Sequence, residues 1–234
     1  MTRTPSPLAQ CLTGLAGTPD DSSRVAHQLD TIAQLAADLV TPVSYASITA
    51  YHDKAYSTVA ASSEVALAVD EAQYRDQDGP CLTALDTGTP VAVPDFGAIM
   101  RWPGFRDVAF GLGLRGSLSV PLFAGRGSVI AALNLYGRDS AAMGPLTAAV
   151  CGAFDDSEPA PGPGLDAGSA GLVAGIAGAF AVRAVIHQAM GVIIAETQRP
   201  ADAAYVVLRL RAAERGLTLS DVAAAVVAEQ RWYV

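Results

Sequence analysis

Residues 155–170 read DDSEPAPGPGLDAGSA. Three Pro, three Gly and four acidic side chains in sixteen positions offer no apolar face to bury, so the segment is expected to be a flexible linker. It divides the 234-residue chain into a larger N-terminal part and a C-terminal third, and each is of domain size. Residues 1–23 mix Pro, Thr, Ser, Gly and Asp and read as a loose tail. The division is therefore a tail (1–23), a first domain (24–154), the linker (155–170) and a second domain (171–234).

Charge follows the same division. The net charge is −8 overall, but residues 1–170 hold 9 basic and 18 acidic side chains (−9), and residues 171–234 hold 6 basic and 5 acidic (+1). A globally acidic protein repels nucleic acid at long range, so any such site must be local and must lie in the last third. The longest candidate apolar stretch, Gly171 to Val182, is short and rich in Gly and Ala, so no membrane span is expected. Residues 1–20 lack a basic start followed by an apolar block, and three Cys make no disulfide framework. A reducing bacterial cytoplasm is the expected compartment.

Apolar periodicity predicts a helix over Arg24 to Val40, through Val25, Leu29, Ile32, Leu35, Ala36 and Leu39. Alternation predicts strands at Tyr45 to Tyr51 and on to Ala61, joined by a turn at His52-Asp53-Lys54. Helices are expected at Val65 to Arg75, Cys81 to Asp86 and Phe105 to Leu112, and short strands at Val91–Val93, Gly116–Leu122 and Val129–Tyr136. This mixture makes the first domain α+β on a mainly antiparallel sheet flanked by helices. The second domain reads as three helices, broken at Pro200 and Gly216, with Thr218 and Asp221 placed like a capping box before the third.

Two stretches carry a family resemblance. Gly79-Pro80-Cys81, the Trp102-Pro103-Gly104-Phe105 turn, Gly116-Ser117, Val120-Pro121-Leu122 and Asn134-Leu135-Tyr136 resemble a GAF domain of bacterial regulators. Arg183, Ile186, Gln188-Ala189, Gly191, Ala204-Tyr205, Leu208-Arg209, Leu219 and Asp221-Val222-Ala223 resemble an ANTAR domain, the three-helix RNA-binding antiterminator module. The chain departs from that pattern at His187, Ala212 and Gly216, where the family often has Gly, Ser and Asn. The resemblance implies a non-enzymatic, signal-responsive regulator that binds RNA stem-loops in nascent transcripts. It also implies a homodimer, under an upstream sensor kinase or a small-molecule ligand, with no cofactor, metal or membrane partner.

The residue chemistry can be read beside it. On one helix Arg183, His187, Met190, Gly191 and Ile194 share a side, and on the next Asp202, Tyr205 and Arg209 share a face while Arg211 and Arg215 form another pair. Guanidinium groups fork onto phosphate, and Arg and Tyr stack on unpaired bases. The expected RNA-contacting set is Arg183, His187, Ala189, Met190, Gly191, Tyr205, Arg209 and Arg215. The plainer alternative is that these arginines are solvated, Gly191 only permits helix contact, and the bundle is a dimerisation and docking surface. The apolar run Leu172 to Phe180 is the candidate for a two-chain helical seam. A DNA-binding helix-turn-helix needs a recognition helix after Gln230, where only four residues remain.

Cys81 sits at an expected helix start, which lowers a thiol pKa, so it is the candidate redox sensor. The alternative is a small apolar residue packed under the helix. Free methionine sulfoxide reductases share the GAF-like fold and are the enzymatic rival, but they need paired cysteines, which the spacing of Cys11, Cys81 and Cys151 does not suggest. His27, His52 and His187 are scattered, with no pair at metal-ligand spacing, and no nucleophile-elbow or phosphate-loop motif is present.

Overall fold

A computed structural model describes residues 5–155 and 164–230. Half of the linker expected at 155–170, residues 156–163, lies outside the described residues, and its last four positions are helical rather than linker. The described elements are α1 (Pro7–Ala16), α2 (Arg24–Leu39), β1 (Tyr45–His52), β2 (Ala55–Ala61), α3 (Glu64–Asp76), α4 (Pro80–Thr87), β3 (Val91–Val93), α5 (Pro103–Gly111), β4 (Gly116–Ala124), β5 (Ser128–Gly137), α6 (Ser140–Phe154), α7 (Ala167–Thr197), α8 (Ala201–Arg215) and α9 (Leu219–Gln230).

The strands form one antiparallel sheet in the order β2-β1-β5-β4-β3. Strand alternation gives its two faces opposite chemistry. Ala46, Ile48, Leu118, Val120, Leu133 and Leu135 point to one side and join the core made with α1, α2, α6 and the first part of α7. Ser47, Thr49, Ser117, Ser119, Asn134 and Tyr136 alternate with them, and are buried on the side covered by α3, α4 and α5. The overall class is α+β, with a helical C-terminal region.

The loose tail expected at 1–23 needs correction. Ser6 Oγ accepts the Ala9 N–H at 3.2 Å, and Pro7 opens the helix as α1. Ser followed by Pro is a helix start here, not a sign of disorder. Leu8, Leu12 and Leu15 lie along one face and enter the main core.

Asp166 caps α7 by accepting the Gly168 and Ser169 N–H groups at 2.9 and 3.1 Å. With no Pro inside it, α7 then runs unbroken for 31 residues and ends at Gln198 in the left-handed region. It is long and apolar enough, by length and composition, to cross a membrane. Its apolar residues are nonetheless core residues: Leu172 and Ile176 belong to the sheet's core, and Ile186, Ala189 and Ile193 to a separate core with α8 and α9. The packing thus divides within α7 rather than at residue 170. A Cβ on Gly175 would stand 2.8 Å from the Ala9 Cα, so this glycine lets α1 lie directly on α7. The side of Leu172–Phe180 that carries Leu172, Gly175 and Ile176, expected to form a two-chain seam, is therefore covered within its own chain, while Ala174 and Ala177 stay exposed.

Candidate nucleic-acid interface

The C-terminal bundle folds around Ile186, Ile193, Leu208, Val222 and Val226, all buried. Gly216 at φ 63° ends α8, and the Thr218 hydroxyl accepts the Asp221 N–H at 3.1 Å to start α9. This packing turns one side of α7 and α8 outward together. Arg183, His187 and Arg209 are on it, and Tyr205, 4% exposed and part of the bundle core, brings its hydroxyl to its edge.

Other residues of the expected set lie elsewhere. Ala189 is fully buried in the bundle core, so it packs helices and reaches no ligand. Met190 is half-buried against the same core. Gly191 is exposed, and a Cβ there would meet nothing within 4 Å. Its gap opens to solvent and no helix fills it. Arg215 is exposed in the last turn of α8.

The face lies against the first domain and the α1–α2 loop, which cover part of it. The Arg183 guanidinium lies over the Phe123 ring of β4, 4.4 Å from its centroid, and its Nε is buried with no hydrogen-bond partner. His187 Nε2 lies 2.7 Å from the carbonyl oxygen of Arg126, in the β4–β5 turn. The Tyr205 hydroxyl donates to Asp20 Oδ1 at 3.3 Å, and Arg209 pairs with Asp21 at 2.9 Å. Arg126 itself bridges Asp20 at 3.3 Å and Asp202 at 3.1 Å. Arg126 and Arg209 each sit 5.8 Å from the centre of the Tyr205 ring. Burial, and then the Asp20 carboxylate, push the Tyr205 phenol up to about 12. The hydrogen bond that Arg126 donates to Asp20 raises its guanidinium above its ordinary value.

Two glycines allow this approach. Gly125 and Gly127 flank Arg126 at φ 54° and 84°. A Cβ on Gly127 would lie 2.7 Å from His187 Nε2, and one on Gly125 would run into the Tyr205 hydroxyl. Sequence reading identified Arg183, His187, Tyr205 and Arg209 but missed Asp20, Asp21, Phe123 and Arg126. The only trace of these is an acidic pair before a helix and an arginine between two turn glycines.

The polar side of the sheet forms a second buried cluster. Asp70 of α3 accepts the Tyr136 hydroxyl at 2.5 Å, the Thr58 hydroxyl at 2.8 Å and the Asn134 amide at 3.3 Å. The Tyr74 hydroxyl is 2.8 Å from both Thr49 and Thr58. Gln73 accepts the Cys81 N–H at 2.9 Å. Burial raises Asp70 to about 6 despite these donors. Cys81 is fully buried here, and burial followed by the Asp70 charge pushes its thiol well above its ordinary value. Burial therefore opposes the lowering that a helix start would give this thiol. Cys11 packs instead against the core on the opposite side of the sheet.

Among the described residues, no group of three His, Cys, Asp or Glu is placed to hold a metal ion. A family model for the GAF domain matches residues 25–150, and one for the ANTAR domain matches residues 175–227. No curated protein matches the chain. Among solved structures it is similar to a type II free methionine-R-sulfoxide reductase from Thermoplasma acidophilum, at 13% identity and a TM-score of 0.39, over 62% of this chain and 90% of that one. So distant a likeness carries no argument about chemistry. With more than half of its length matched by the first family model, and the helical region by the second, the chain belongs to the GAF domain family and carries an ANTAR domain at its C-terminal end.

Proposed function

We propose that this protein is a cytoplasmic transcription antitermination regulator that binds RNA stem-loops in nascent transcripts under the control of its GAF domain. An ANTAR domain implies RNA-binding antitermination, and a GAF domain implies a sensor. The observation that carries the finer reading is the convergence of Arg183, His187, Tyr205 and Arg209 on one side of α7 and α8, over a core independent of the sensor. Two guanidiniums, an imidazole and a phenol on one surface suit looped RNA, which is read by phosphate pairing and base stacking. Pairing two copies would let each protein dimer hold two hairpins, with affinity raised by effective concentration. A kinase or a small ligand acting on the GAF domain would supply the signal.

Binding of fluorescent hairpin RNA at low salt tests this. The double variant Arg183→Ala, Arg209→Ala should lose at least tenfold in affinity, since each phosphate contact contributes to binding. If neither wild type nor Arg126→Ala binds a hairpin better than a scrambled single strand, the RNA reading is wrong and the bundle is a protein-docking surface.

A further inference from the structure

We propose that the RNA face is masked in the resting protein by a two-part latch, the Asp20–Asp21 pair and the Arg126 turn, in which the two carboxylates occupy the positions of RNA phosphates. The inference rests on the RNA reading above and extends it to a regulatory contact and to the subsite it blocks.

Four observations converge. The first is chemical. Asp20 and Asp21 meet the Tyr205 hydroxyl at 3.3 Å and the Arg209 guanidinium at 2.9 Å, and anionic oxygen at those two groups is what an RNA backbone would present. The second is steric. The Arg126 carbonyl lies on His187 and the Phe123 ring under Arg183, so with Asp20 and Asp21 each of the four residues already has a partner from outside the bundle. While those partners stay, the groups they hold cannot turn to a nucleotide, although His187 and Arg209 keep edges open to water.

The third observation is that the cover is built to release. Both parts are loops, one between α1 and α2 and the other between β4 and β5, and loops open at the low end of a protein's stability range. Their movement leaves the long helix α7 straight and both cores intact. The ion pairs are partly open to water, with Asp202 86% and Asp21 63% exposed, and such pairs are individually weak. Clefts of about 680 and 370 Å³ flank the seam, and the two apolar cores are separate clusters joined along α7.

The fourth is the role of Arg126, a cation whose groups go to Asp20 and Asp202 rather than outward. It pins the acidic loop and at the same time ties the turn to α8. Its removal therefore separates the latch from ordinary electrostatics. Loss of a positive charge by itself weakens RNA binding, whereas loss of the latch strengthens it.

The experiment measures hairpin RNA affinity of the full chain at low salt for wild type, Arg126→Ala, the double variant Asp20→Asn, Asp21→Asn, and Gly125→Asn. Asn tolerates the left-handed backbone at Gly125 and wedges the turn off Tyr205. Each variant should bind about 5- to 150-fold more tightly than wild type, the usual span of coupling between sites. Thermal melts of all variants show that the fold is kept. Unchanged or weaker binding by both Arg126→Ala and Gly125→Asn overturns the latch and leaves the RNA reading standing. If wild type and every variant all ignore hairpin RNA, both readings fall.

Discussion

Asp70 is the residue whose surroundings leave the plainest mark on solution behaviour. Its folded pKa of about 6 lies above its ordinary 3.8, because burial outweighs the hydrogen bonds it accepts. Between those two values the folded protein keeps a proton that the unfolded chain has released. Stability should therefore fall as pH rises through that window and level off above it, by an amount on the order of 3 kcal/mol. Urea melts between about pH 4 and 7 should show that decline in wild type and a flatter profile in Asp70→Asn. An identical slope in both would mean that Asp70 is not the group responsible. Cys81 gives a second residue-scale expectation. A buried, protonated thiol does not attack electrophiles, so alkylation followed by mass spectrometry should modify Cys81 only after denaturation, and Cys11 and Cys151 earlier. Rapid labelling of native Cys81 would restore the sensor reading that its helix-start position suggested. That position was legible in sequence; the Asp70 and Tyr136 neighbours that reverse its meaning come from α3 and β5 and were not.

At the scale of elements, α1 and α7 are the informative pair. The leucines of α1 at i, i+4 and i+7 were present in the sequence, yet the surrounding Pro, Thr, Ser and Gly made the segment look unstructured. What makes it a helix is the partner it finds, the small-residue face of α7 around Gly175. Leu12→Ala should then cost about 2–5 kcal/mol, as for any buried leucine, with a matching drop in Tm. A substitution in a loose tail would stay within about 0.5 kcal/mol, so calorimetry separates the two descriptions. The strands were easier to read. Their alternation put Ala46, Ile48 and Ala50 on one face before any partner was known, and the antiparallel sheet confirms it.

At the scale of the whole molecule, the seam between sensor and bundle governs what the other parts can do. If RNA displaces the two covering loops, hydrogen exchange should speed up at residues 18–23 and 124–128 when hairpin RNA is added, while β1 stays protected. Equal protection of those loops with and without RNA would show that RNA enters elsewhere. Raising salt should weaken the latch's ion pairs and RNA binding together, because both depend on the same screened charges. The difference in RNA affinity between wild type and Arg126→Ala should therefore shrink as salt rises.

The order of residues along the chain determined the local structure: the strand alternation, most helix limits and the four outward groups of α7 and α8. These depend on side-chain period and on neighbours within a few positions. Only the tertiary structure decided that α1 belongs to the core, that Cys81 is buried beside Asp70, and that Arg183, His187, Tyr205 and Arg209 each meet a residue from outside the bundle. Each depends on contacts between residues far apart in sequence, such as Asp20 with Tyr205. No periodicity records which distant carboxylate a guanidinium or a phenol will meet.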